Sequence, residues 1–173
     1  MTTTPADVAQ LFLVHSRQKL LEQYWPRLKN SVESLTEEQL WWRPSEACNS
    51  IGNLLLHLNG NVRQWLVASF NRLEDRRNRP AEFNQRESIS ASALLDQLSA
   101  TMQQASEVLA RLTPADLIAS YEIQGYKVSG LEAVYHVVEH FSMHYGQVLY
   151  IVKSLHGADL GFYSYLNKTG RAS

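Results

Sequence analysis

The sequence predicts an all-α fold: a four-helix bundle with a long crossover connection, short helices between the main ones, and one small β-hairpin. Three observations lead there. Four long stretches repeat apolar residues at intervals of three and four. Each of them opens at or beside a Ser, Thr or Asn suited to capping a helix. Only one stretch, of ten residues, has the character of a strand pair.

The first helix is expected to begin near Pro5, with Thr4 as its cap and proline at the first helical position. Val8, Leu11, Phe12, Leu20, Leu21, Tyr24 and Leu28 follow helical spacing, and Pro26 should kink the helix or end it early. Thr36 and Gln39 form a capping box for a short helix that Trp41-Trp42-Arg43-Pro44 closes. A second long helix starts at Asn49 or Ser50 and reaches about Asn71, with Ile51, Leu54, Leu55, Leu58, Val62 and Trp65 as its apolar stripe. His57 stands at the edge of that stripe.

Residues 73–87 are polar, mixed in charge and interrupted by Pro80, which marks the crossover. Arg76, Arg77 and Arg79 are offset by Glu74, Asp75 and Glu82, so the segment reads as a solvated loop rather than a phosphate site. Ser90 caps the third helix, and Thr113-Pro114 opens another short turn. Ser120 to Ser129 is the strand pair, turning at Gln124-Gly125. The fourth helix starts at Ser129 or Gly130 and ends before Gly157 as a C-terminal glycine cap. Beyond it, Phe162, Tyr163 and Tyr165 are expected to pack back on the bundle.

The chain has 173 residues, 45% apolar and 19% charged, which is ordinary for one globular domain spanning 1–173. A net charge of -1 gives no footprint for nucleic acid or an anionic membrane. The single cysteine, Cys48, forms no internal disulfide and fits a reducing cytoplasm. No signal peptide or membrane-spanning run is read from the sequence, so a cytoplasmic protein is expected.

The chemistry concentrates in His136-Val-Val-Glu-His-Phe-Ser-Met-His-Tyr-Gly-Gln147. His136, His140 and His144 are four apart and so share one helix face. Ala133, Val137, Val148 and Ile151 lie within roughly 80° of His140 at about 100° per residue, so that face turns toward the core. Imidazoles stacked on a buried face need partners, and a metal ion suits them. His140 and His144 can reach one ion, and His57 is the best-placed third ligand from another helix. Three imidazoles with an open position is the arrangement of a catalytic rather than a structural site.

His136-Val-Val-Glu139-His140 matches the inverzincin protease pattern, but Glu139 points about 100° away from His140. After Glu139 the only remaining acidic residue is Asp159. A metalloprotease is therefore rejected. No phosphate loop, nucleophile elbow or paired-cysteine motif is present.

Two stretches, Trp42 to His57 and His136 to Gln147, resemble the DinB-like (DinB/YfiT-like) family of bacterial metalloenzymes. The resemblance implies a four-helix bundle, often a homodimer, with zinc or nickel held by His57, His140 and His144. His136 would be an outer neighbour, and with Asn61 and Gln147 it forms the group of candidate catalytic or substrate-facing residues. Many relatives carry Arg where this chain has Tyr145. The resemblance implies a transferase using a low-molecular-weight thiol; a metal-dependent hydrolase and a non-catalytic metal- or small-molecule-binding stress protein are the alternatives.

Overall fold

The computed structural model describes residues 4–164. Helix α1 (Pro5–Arg17) runs through a π-helical segment, π1 (Gln18–Tyr24), into α2 (Trp25–Val32). After the short α3 (Glu37–Trp41), the second rod comprises α4 (Ile51–Val62), the π-helical π2 (Arg63–Ala68) and α5 (Ser69–Asn71). The crossover carries α6 (Arg79–Asn84), and α7 (Ala91–Arg111) is the third rod. Helix α8 (Pro114–Ile118), strands β1 (Ser120–Ile123) and β2 (Tyr126–Ser129), and the long α9 (Gly130–His156) follow. This is the predicted four-helix bundle with a long crossover and a hairpin.

Cap chemistry sets the helix starts. Thr4, Ser50 and Ser129 each accept a backbone N–H three residues on, and Asp7, Asn53 and Glu132 reach back to close capping boxes. Ser90 caps α7 through the Ala93 N–H. Each such cap contributes on the order of 1 kcal/mol. At the far end of α9, Gly157 takes φ 62°, the left-handed conformation that glycine adopts freely.

The rods bury one another's apolar faces. Helix α4 packs on α7 and α9, while the first rod also lies against α7 and α9. Leu20, Leu28, Leu58, Leu98, Val137 and Phe141 are among the fully buried residues where these faces meet. Trp41 lies on Gly52, where a Cβ would come within 2.8 Å of the indole ring, and its Nε1–H donates to the Ile89 carbonyl at 3.0 Å.

Pro26 neither ends nor breaks the first rod. The π1 segment lets the Trp25 N–H bond to the Leu20 carbonyl, five residues back, so the chain widens just before the proline ring. Widening relieves the clash a proline makes with the carbonyl four residues earlier. In the second rod π2 has another effect: Gln64, Trp65, Leu66, Val67 and Ala68 are all buried in succession. A regular amphipathic turn would have exposed some of them.

Strands β1 and β2 pair antiparallel from Ser120↔Ser129 to Ile123↔Tyr126. Gln124 and Gly125 both have positive φ, 53° and 78°, the geometry of a tight primed turn. Phe70 and Tyr121 hold the hairpin to the end of the second rod, with ring centroids 4.6 Å apart. Past α9, Phe162 and Tyr163 sit 5.3 and 5.1 Å from the Arg27 guanidinium, so these two aromatics do pack on the bundle. Tyr165 lies outside the described residues. No helix among the described residues is long and apolar enough to cross a membrane.

Candidate metal centre

Helices α4 and α9 pack so that His57 faces His140 and His144. One ring nitrogen from each lies within 4.8 Å of the other two, positioning the three residues to hold a metal ion. His57 is 3% exposed and His144 9%. The Nε2 atoms of His57 and His140 are 3.1 Å apart. Two imidazole nitrogens bonded at about 2.0–2.1 Å to one ion stand roughly 3–3.4 Å apart, so the spacing fits.

The outer nitrogens explain why the inner ones are acceptors. His57 Nδ1 lies 2.8 Å from Glu82 Oε2. A carboxylate can only accept, so Nδ1 carries the proton and Nε2 keeps its lone pair. Arg77 Nη2 is also 3.1 Å from that Nδ1, but its better partner is Glu82 Oε2 at 2.9 Å. His144 Nδ1–H donates to Gln147 Oε1 at 2.7 Å, which likewise leaves its Nε2 as an acceptor. Two lone pairs thus converge beside a third imidazole whose own Nδ1 is buried without a partner. Neutral imidazoles with outer N–H groups so fixed suit a borderline cation.

Burial favours the neutral forms of the α9 histidines. Burial, reinforced by His144, His57, His136 and Arg77, pushes His140 down to about 3. Burial likewise lowers His144 and His136 from their ordinary value. For Glu82, burial favours the neutral acid, but hydrogen bonds from Arg77 and His57 and the charge of Arg77 outweigh it. The carboxyl is held below its usual range.

Glu82 and Arg77 correct the reading of residues 73–87 as a merely solvated loop. The Arg77 side chain is only 5% exposed and grips Glu82 through Nε at 2.7 Å and Nη2 at 2.9 Å. Its Nη1 donates to Gln64 Oε1 at 2.9 Å, and Gln64 in turn donates to Asp75. Asn53 docks the segment: its Nδ2 donates to the carbonyls of Glu82 at 2.9 Å and Gln85 at 3.2 Å. Gly60 leaves the necessary room, since a Cβ there would collide with Glu82 Oε1 and stand 2.8 Å from Arg77 Nε. Sequence reasoning missed Arg77, Glu82, Asn53, Gln64 and Gly60. The available signals were a glycine inside an otherwise strong helix and an asparagine at its third position.

His136 is next to His140, with ring centroids 5.2 Å apart, but is not one of the three whose nitrogens converge. Its ring lies on Trp65 at a centroid distance of 4.0 Å, and its Nε2 accepts from Asn61 Nδ2 at 3.1 Å. With His57 and His140 these residues line a cleft of about 930 Å³ rimmed by Gln124, Tyr126 and Val128 of the hairpin. Glu139, the acid of the rejected protease pattern, is exposed.

Fold and site together define a DinB-like helical bundle with three histidines positioned for a metal ion. The chain belongs to the family described as Protein of unknown function (DUF1572), whose model matches residues 7–167. It is similar in structure to a DinB-like protein from Bacillus subtilis, with a TM-score of 0.64 and 18% identity over 87% of this chain and 96% of that one. A DinB-like protein from Bacillus cereus ATCC 10987 matches with a TM-score of 0.61 and 15% identity, covering 79% of this chain and 88% of that one. At such identities the likeness carries the fold. No curated relative matches the chain.

Proposed function

We propose that the protein is a divalent-metal-dependent enzyme that acts through a low-molecular-weight thiol, with zinc or nickel held by His57, His140 and His144. The observation that carries this reading is the convergence of three imidazole nitrogens within 4.8 Å, with two of those residues, His57 and His140, lining a cleft. A divalent ion bound there supplies Lewis acidity, lowering the pKa of a thiol or of water.

The chain's own residues do the rest. Glu82 and Gln147 fix the ring orientations of His57 and His144. Asn61 and His136 form a polar wall beside His57 and His140, with Trp65 as its apolar backing. Hydrolysis of a bound substrate would draw on a nearby general base. The carboxylate that lines the cleft, Glu132, accepts from the Ser129 backbone and hydroxyl, and Glu82 lies behind His57. A thiol needs less help, because its own acidity is already close to neutral. The reducing cytoplasm that suits a lone Cys48 is also where such thiols accumulate.

The test is turnover of an electrophilic aryl halide by zinc- or nickel-loaded protein with and without a small thiol. The reading expects thioether product that requires both metal and thiol and disappears in His140→Ala. Ester hydrolysis independent of thiol would replace it with a hydrolase, and no turnover in either assay would contradict an enzyme of either kind.

A further inference from the structure

The cleft beside His57, His136 and His140 is uneven in charge. Besides imidazoles it is lined by three charged side chains, Arg77, Arg79 and Glu132. Arg77 is committed to Glu82. Glu132 is committed to the start of α9, accepting from Ser129 N–H and Oγ–H at 2.7 Å each. Arg79 has no ion-pair or hydrogen-bond partner among the described residues. Its guanidinium rests over the Phe83 ring, 4.9 Å from the centroid, and Phe83 packs on His57 with centroids 4.5 Å apart. Stacking on an aromatic face holds a guanidinium in place and leaves its N–H edge available. Asn61 adds a second unmet group: the residue is 3% exposed, lines the same cleft, and its Oδ1 has no partner.

The charge balance of the site points the same way. Three neutral imidazoles leave a divalent ion uncompensated, and the one carboxylate behind them is already matched by Arg77. A loaded cleft therefore carries positive charge at two places, the ion and Arg79, against the single carboxylate of Glu132, which the N-terminus of α9 already engages. A ligand that answers both carries two anionic groups, one soft enough for the ion and one planar enough for a guanidinium.

We propose that the cleft selects a small thiol bearing a carboxylate, with Arg79 as the anchor for that carboxylate. The proposal rests on the thiol reading above and names the class of thiol. It predicts that charge on the thiol, rather than bulk, decides affinity.

The experiment uses full-length protein loaded with cobalt(II), whose thiolate charge-transfer absorption reports binding without turnover. The probes are 3-mercaptopropionate, neutral 2-mercaptoethanol and cationic cysteamine, titrated at one pH and ionic strength. The expected result is that 3-mercaptopropionate binds about tenfold more tightly than 2-mercaptoethanol, and cysteamine most weakly. Arg79→Gln should bring 3-mercaptopropionate to the level of 2-mercaptoethanol and leave the neutral probe unchanged, while Arg79→Lys keeps part of the preference. Equal affinities in the wild type would overturn the assignment of Arg79 alone, as would equal weakening of both probes by Arg79→Gln. Absence of the absorption with every thiol would overturn the thiol reading itself and the anchor with it.

Discussion

Replacing Glu82 by glutamine separates the two roles that the buried carboxylate plays. Gln keeps the shape and one acceptor but removes the charge. Arg77, with a side chain 5% exposed, is then a buried cation without a counter-ion. Breaking such a pair from one side costs 3–5 kcal/mol as a rule, and about 3 kcal/mol is expected here because the amide oxygen still accepts one N–H. With a urea m-value of about 1–3 kcal/mol/M, the midpoint of the metal-free protein falls by roughly 1–3 M. His57 also loses the charged acceptor of its Nδ1–H, which should weaken metal affinity by about 10- to 100-fold. Urea unfolding measures the first effect, and competition for zinc with a chromophoric chelator measures the second. Adding Arg77→Gln to Glu82→Gln should recover much of the stability, since the stranded cation is gone, and leave the affinity low. A Glu82→Gln variant with the wild-type midpoint and wild-type zinc affinity would refute the assignment of Glu82 as the support of His57.

The glycines and the shifted histidines give further expectations. Gly60→Ala forces a Cβ into Glu82 and Arg77, so it should lose about 1–3 kcal/mol in urea unfolding and weaken zinc binding. Gly146→Ala on α9 meets nothing within 4 Å and should be neutral or slightly stabilising by the same assay; equal losses in both would argue against the close approach at Gly60. The metal-free protein should lose stability as pH falls below about 6.5, because the unfolded histidines take up protons that half-buried His136 and His140 and buried His144 refuse. For His140 the window extends down to about 3, with a slope of up to about 1.4 kcal/mol per pH unit. Glu82, held below its usual range, adds a separate loss at lower pH, as it is protonated through its folded value. Urea unfolding across pH in His140→Leu should show about one proton less of linkage near pH 5, and an unchanged slope would contradict the neutral cluster.

What could be read from the sequence was local. Caps at Thr4, Ser50, Ser90 and Ser129, the Gln124-Gly125 turn and the Gly157 stop are each decided within a few residues, and the structure agrees with all of them. The periodic apolar faces gave the bundle, because each helix has one burial-competent side. Pro26 was read as a kink or stop because the rule concerns a regular α-helix; the chain accommodates the proline by widening into a π-helical segment. The support of His57 was invisible for a different reason. Arg77 and Glu82 are five residues apart and balance each other in charge, which is also how a solvated loop looks. Only docking of α6 by Asn53, across 29 residues of sequence, turns that balance into a buried pair. Gln147 could be noticed because it follows His144 by one helical turn, whereas Arg79 needed Phe83 and His57 to give it a place beside the cleft.

The most direct test of the central claim is the metal content of protein purified without an affinity tag, compared with His57→Ala and His140→Ala variants that retain helical circular dichroism. The account predicts close to one zinc or nickel per chain in the wild type and loss of that metal in both variants. A folded wild-type protein that takes up no divalent metal even when reloaded, or variants that keep it, would contradict a centre built from His57, His140 and His144.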